Sequence, residues 1–112
     1  MHELSITQQV LDIAVKKAME ADAAGIKQIN LVIGDMSSVV DDCVQFYFDI
    51  ISKDTIAGKA KLSFRRINTR LRCREGHEFT PAANTWDCPY CQDGDVEVVA
   101  GKEFYVDSIE VE

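Results

Sequence analysis

CREGHEFTPAANTWDCPYC, residues 73–91, interrupts a chain that otherwise alternates between helical and strand-like patterns. Cys88 and Cys91 form a C-x-x-C knuckle, whose tight turn can direct two sulfurs at one point. Upstream, Cys73 and His77 add one thiolate and one imidazole, and ten residues separate His77 from Cys88. Three cysteines and one histidine match the closed Cys₃His set of structural zinc sites. The stretch therefore predicts a small knob built around a structural zinc ion.

Other uses of these residues follow from the same chemistry. If His77 is only a surface imidazole, the fourth ligand would be Glu75, Glu78 or a water, and a water position would make the zinc catalytic. An isolated C-x-x-C can also be a redox pair, but the nearby Cys73 favours a metal. The sequence has no Ser/His/Asp set and no glycine-rich phosphate loop, so we do not expect an enzyme.

The sequence on either side of this stretch predicts the fold. Apolar periodicity predicts helices over residues 4–22 and 41–53 and strands over 26–33, 60–67, 96–99 and 104–111. We therefore predict an α+β fold, in which two helices pack on a three-stranded mixed sheet and a zinc-ribbon-like knob projects from between its last two strands. The predicted domains are a discontinuous α/β domain of residues 1–69 and 95–112, and a zinc-binding domain of residues 70–94.

Two predictions concern side chains of the helices. In the first helix, Leu4 belongs to the apolar stripe and Ile13 lies beside it. In the second, the remaining cysteine, Cys43, is predicted to be a buried structural thiol, because free cysteine behaves as a small hydrophobe.

Composition and charge exclude some classes of function. The chain has 112 residues, of which 46% are hydrophobic, so one domain can build a core without disulfides. The net charge of −7 argues against nucleic acid as a partner, and the local run of five arginines in residues 65–74 is expected to be a solvated strand edge and loop. No apolar run approaches the roughly 20 residues of a membrane span, and no signal segment is visible. We expect a cytoplasmic protein with reduced thiols and no membrane partner.

The first three residues, Met1, His2 and Glu3, form a candidate chelator. The Met1 amine, the His2 amide nitrogen and the His2 imidazole can hold one ion through fused five- and six-membered rings, and the Glu3 amide nitrogen could complete a square. Such nitrogen donors favour a square-planar ion, Ni(II) or Cu(II), over Zn(II). The α/β domain would then be the nickel-binding one.

Several segments resemble the HypA/HybF family of hydrogenase nickel-incorporation proteins. They are the start Met1-His2-Glu3-Leu4-Ser5, the segment Gly34–Val39 followed by Val44–Phe48, and the end Phe104–Val111. The resemblance covers nearly the whole chain. It implies a metallochaperone that carries Ni(II) as labile cargo on Met1, His2 and Glu3, and that keeps a structural Zn(II).

The resemblance also implies partners and zinc ligands. Nickel would pass, with a HypB-type GTPase, to a [NiFe]-hydrogenase large subunit precursor and, in some bacteria, to urease. Cys73, Cys88 and Cys91 carry over as zinc ligands. The family usually has two C-x-x-C pairs, whereas the first pair is incomplete here, and the chemistry of the segment offers His77 instead. We expect a monomer or weak homodimer, and the alternative function is a zinc-ribbon module that binds nucleic acid or protein.

Overall fold

The computed structural model describes residues 3–82, 85–92 and 94–112. Its elements, in chain order, are α1 (Glu3–Glu20), β1 (Ile26–Gly34), α2 (Asp41–Ile51), β2 (Lys61–Ile67), β3 (Arg70–Cys73), β4 (Glu78–Phe79), β5 (Val96–Ala100) and β6 (Phe104–Val111). The predicted α+β class is confirmed, and both helices and the four predicted strands lie where the periodicity put them, to within about two residues at most ends. Within the described part of the chain, neither helix has the length and apolar character that crossing a membrane requires.

The larger sheet has the strand order β2-β1-β6. The central strand β1 pairs in parallel with β2 and antiparallel with β6, so this is the predicted three-stranded mixed sheet. Ile29, Leu31 and Ile33 of β1 are fully buried in the core that both helices share. Burial of a central strand by helices explains why its apolar positions are the least exposed in the sheet.

Helix α1 buries one face against this sheet and α2. The buried members of that face are Ile6, Thr7, Val10, Leu11, Ala14 and Ala18. Leu4 and Ile13 do not belong to it, because they are 47% and 45% exposed, so their predicted place in or beside the core is wrong. At about 100° per residue, both lie about 90° from the middle of the buried face.

Helix α2 buries Val44 and Phe48, while Cys43 is exposed. The prediction of a buried thiol at Cys43 is therefore wrong, because Cys43 precedes Val44 and is rotated about 100° from it around the helix axis. The first turn of α2 has no side-chain cap at Val40; Asp41 instead forms an ion pair with Arg66 of β2.

The smaller sheet has the strand order β4-β3-β5, with antiparallel pairing throughout. Its own core contains Leu71, Cys73, Phe79 and Cys88. Strand β5 pairs with β3, whereas β6 pairs with β1, so residues 96–100 belong to the smaller sheet.

The chain passes from the smaller sheet to the larger one at Gly101, which lies against Gly34 at the end of β1. The Gly34 N–H donates to the carbonyl of Glu103 at 2.7 Å, and the Met36 N–H donates to that of Gly101 at 2.7 Å. A Cβ on Gly34 would lie 2.1 Å from the Gly101 carbonyl oxygen, so only glycine permits this approach. Gly101 itself has φ +117°, in the left-handed region that favours glycine. This crossing directs β5 into one sheet and β6 into the other.

Candidate metal centre

The hairpin between β3 and β4 supplies the first two groups of the centre. Cys73 ends β3 and His77 directly precedes β4. The Cys73 N–H donates to the His77 carbonyl at 3.0 Å, and the Gly76 N–H donates to the Cys73 carbonyl at 3.0 Å. Gly76 has φ +91°, a conformation that L side chains rarely adopt. These bonds close a tight turn that brings both ends together at the base of the hairpin.

The second knuckle supplies two more thiols. The Gln92 N–H donates to the Cys88 carbonyl at 2.7 Å, which closes the turn around the C-x-x-C segment. Gln92 has φ +58°, the left-handed conformation that ends this turn. Cys88 is buried in the core of the smaller sheet, whereas Cys91 is exposed.

The ligand atoms of all four predicted residues, Cys73, His77, Cys88 and Cys91, lie within 4.8 Å of one another. The Nδ1 atom of His77 is 3.3 Å from the sulfur of Cys73 and 3.8 Å from that of Cys88. Usual zinc bond lengths in a tetrahedron put a nitrogen and a sulfur about 3.6 Å apart. The four side chains therefore form a cluster of the right size for one tetrahedral ion, and the imidazole takes part although His77 is an exposed residue.

The polar surroundings of Cys88 favour a metal-binding thiolate. Burial by itself raises the pKa of this thiol, but the backbone N–H groups of Cys91 and Tyr90 and the side chains of Cys91 and Cys73 together bring the pKa below its ordinary value. Because thiolates are the metal-binding form, this prepares the cluster for a cation.

Tyr90 adds a contact that the sequence analysis did not identify. Its ring centroid lies 5.2 Å from that of His77, with the two planes tilted by 46°. This contact packs an aromatic ring on the imidazole. The position of Tyr90 between Cys88 and Cys91 is the one sequence signal that could have suggested this ring contact.

Four of the five arginines of residues 65–74 have a polar partner in the structure. Arg72 binds Glu97 across the β3–β5 pair, and this hydrogen bond and charge raise the pKa of Arg72. Arg74 lies 2.9 Å from the carboxylate of Asp95. Arg66 forms an ion pair with Asp41, lies 3.9 Å from Asp35 and donates to the Val39 carbonyl at 3.2 Å. Arg70 donates to the Thr80 hydroxyl at 3.3 Å. Paired guanidinium groups offer little to a nucleic-acid backbone.

The predicted nickel ligands are only partly within the described residues. Met1 and His2 lie outside them. Glu3 is the first residue of α1 and is half-buried, and its carbonyl accepts a hydrogen bond from the Thr7 hydroxyl at 2.5 Å. Its amide nitrogen belongs to the first helical turn, whose N–H groups have no acceptor within the helix.

Comparisons with known proteins give a consistent picture. A family model for hydrogenase/urease nickel incorporation, metallochaperone, hypA, matches residues 1–111. The chain is 50% identical over 113 residues to the hydrogenase maturation factor HypA of Dehalococcoides mccartyi strain CBDB1, covering 100% of this chain and 95% of that one. It is 37% identical over 114 residues to the factor of the same name from Caldanaerobacter subterraneus subsp. tengcongensis, covering 100% of both.

Two solved structures share the fold. A solution structure of a HypA protein superposes with a TM-score of 0.78 at 23% identity, over 100% of this chain and 97% of the other. The solution structure of the Ni metallochaperone HypA from Helicobacter pylori gives a TM-score of 0.69 at 23% identity, over 99% of this chain and 97% of the other.

Proposed function

Since the chain belongs to the HypA family of hydrogenase/urease nickel-incorporation metallochaperones, which are maturation factors and not catalytic enzymes, we propose that it carries Ni(II) on Met1, His2 and Glu3. The observation that carries this proposal is the match of residues 1–111 to the family, because it includes the Met1-His2-Glu3 start. The cargo would be held by the Met1 amine, the His2 amide nitrogen and the His2 imidazole. This donor set requires a free amine on Met1.

The start of α1 supports a fourth donor from Glu3. Helix α1 begins at Glu3, so the Glu3 amide is one of the N–H groups for which the helix provides no carbonyl acceptor. A metal bond to this nitrogen would break no helical hydrogen bond. Four nitrogens in a plane suit Ni(II), and the ligand field of deprotonated amides disfavours Zn(II) at the same place.

We propose Zn(II) as the resident ion of the cluster of Cys73, His77, Cys88 and Cys91. Three thiolates and one imidazole in a tetrahedron are a donor set that zinc commonly occupies in structural sites. With all four positions filled by side chains, no open position remains for a substrate. The ion would supply no chemistry beyond holding the two turns together. Apart from the ion, the packing of Leu71 and Phe79 in the small apolar core would hold this unit together.

If delivery uses GTP hydrolysis, the hydrolysis must belong to a partner, because the sequence contains no phosphate-binding loop. We propose that a HypB-type GTPase supplies the nucleotide-driven step and that a [NiFe]-hydrogenase large subunit precursor, or urease in a suitable host, receives the nickel. This exchange would take place in the cytoplasm. Ion transfer along such a chain needs no catalytic residue here, only a site that is strong and labile.

Nickel titration of three proteins tests the proposal. The native chain is compared with His2→Ala and with a chain extended by two residues before Met1, all loaded with zinc. We expect tight nickel binding by the native chain alone, with a yellow, low-spin square-planar absorption band. Tight binding that survives in both variants would overturn the N-terminal site.

A matched variant separates this test from the zinc cluster. Cys91→Ser removes an exposed thiol of the cluster and leaves residues 1–3 intact. The proposal expects it to lose zinc affinity and to keep the planar nickel spectrum. Loss of the nickel band in Cys91→Ser with retention in His2→Ala would instead place nickel on the cysteines.

A further inference from the structure

Helix α2 has a second apolar face besides the one that packs into the core. We call it the α2 stripe, and it consists of Cys43, Phe46, Tyr47 and Ile50. Their spacing of three, four and seven residues places them on one side of a helix. Phe46 and Ile50 are 61% and 58% exposed, and Cys43 is exposed as well. The rings of Phe46 and Tyr47 meet edge to face, with centroids 5.4 Å apart.

The α2 stripe differs from isolated exposed apolar residues such as Ile13 of α1. Single apolar side chains at a surface need no explanation, but a contiguous group marks a binding surface. Nothing in the core requires this stripe, because α2 is anchored by Val44 and Phe48 on another side. An apolar row at these spacings is the pattern by which one amphipathic helix meets another.

The charges of α2 restrict what can cover the stripe. The charged residues of the helix are Asp41, Asp42 and Asp49, and its last turn contains no basic residue. Asp41 is paired with Arg66, but Asp42 and Asp49 are exposed, four residues before and three residues after Phe46. Both therefore lie along one edge of the α2 stripe, where the Gln45 side-chain amide donates to the Asp49 carboxylate at 2.8 Å.

This charge pattern disfavours a second copy of the chain, since two α2 helices would bring Asp42 and Asp49 against like charges. We propose that the α2 stripe docks an amphipathic helix of another protein, whose apolar row is flanked by lysine or arginine. Its apolar side chains would cover Phe46 and Ile50, and its cations would face the two carboxylates. This proposal does not depend on where nickel binds.

A pair of designed helical peptides tests it. One peptide has a leucine row flanked by lysines, and its twin has glutamate in place of every lysine. Binding to the zinc-loaded chain is measured by calorimetry at two salt concentrations. We expect the lysine peptide to bind at least about tenfold more tightly than its twin. We also expect it to slow iodoacetamide alkylation of Cys43, which mass spectrometry quantifies separately from the other cysteines.

Variants distinguish the stripe from general attraction to an acidic protein. Phe46→Ser with Ile50→Ser keeps the net charge and should weaken lysine-peptide binding about tenfold, whereas Ile13→Ser should not change it. Equal binding of the two peptides, equal loss in Ile13→Ser, or unchanged Cys43 alkylation would overturn the proposal. So would sedimentation showing a dimer of the native chain that the double variant abolishes. If the double variant fails to fold, slower alkylation of Cys43 in the native chain with the lysine peptide still supports the proposal, and unchanged alkylation still refutes it.

Discussion

Replacement of His77 by alanine gives the sharpest test of the metal centre. The Nδ1 atom of His77 lies 3.3 Å and 3.8 Å from two cluster sulfurs, so the variant removes one of four ligands. Its backbone role survives, because the carbonyl that accepts the Cys73 N–H is unchanged. A structural zinc ion contributes about 10–16 kcal/mol to small metal-dependent units, and a quarter of that is about 2.5–4 kcal/mol.

We therefore expect His77→Ala to raise the Kd for zinc roughly 10²- to 10³-fold. Competition against a chromophoric zinc chelator at constant pH measures this change. X-ray absorption should show three sulfur ligands and one lighter atom in the native chain, and loss of the imidazole scattering in the variant. The smaller sheet should also exchange its amide protons faster, since its core has few other apolar contacts.

Glu75→Ala and Glu78→Ala are the matched controls, because these carboxylates were the other candidate ligands and both residues are exposed. Neither variant should change the zinc Kd by more than about twofold. An unchanged Kd in His77→Ala, together with weaker binding in one glutamate variant, would refute the assignment of the imidazole.

Three further outcomes are expected. Nickel affinity should fall steeply as the pH drops below about 6.5, because a proton then competes with nickel for the nitrogen of an ordinary imidazole. Equal nickel Kd values at pH 7.5 and pH 6.0 would contradict the site at His2. Gly34→Ala should destabilise the chain by about 2–4 kcal/mol in urea unfolding, because the new Cβ would meet the Gly101 carbonyl oxygen. An unchanged urea midpoint would show that the two backbone segments can move apart at little cost. Phe48→Ala should cost about 3–5 kcal/mol of unfolding free energy, whereas the exposed Phe46→Ala should stay within about 0.5 kcal/mol; equal losses would mean that the burial of α2 is misassigned.

Periodicity predicted both helices and four of the six strands in the described part of the chain, but not β3 and β4 and not all of the strand partners. A run such as Val96–Ala100 is recognisable as a strand from its β-branched residues, yet nothing in it specifies whether it pairs with β3 or β6. In the structure β5 and β6 separate at Gly101, whose backbone meets that of Gly34, and these two glycines lie 67 positions apart in the sequence and leave no periodic signal.

The buried face of α2 was ambiguous for a related reason. Apolar residues cover more than half of the circumference of this helix, so counting them does not locate the core, and a one-residue difference turns a side chain by about 100°. Cys43 was assigned to the core on residue type, although its neighbour Val44 is the buried one.

The candidate metal cluster was accessible from sequence because metal ligands impose spacing. Two turns that each present a pair of donors must meet at one ion, so Cys73, His77, Cys88 and Cys91 could be grouped without knowing the fold. The chelator at Met1 and His2 has no comparable geometric check, since consecutive residues bind through backbone atoms that every chain possesses. Its support comes from residue type and family membership.

The position of β6 has a consequence for the order in which the chain folds. Strand β6 pairs with the central strand β1, and strands β3, β4 and β5 all lie between these two in the sequence. The pairing that completes the larger sheet therefore closes a loop that contains the whole smaller sheet and all four residues of the candidate metal cluster. Because closing a longer loop costs more entropy, we expect the short β3–β4 hairpin to form before β6 joins β1.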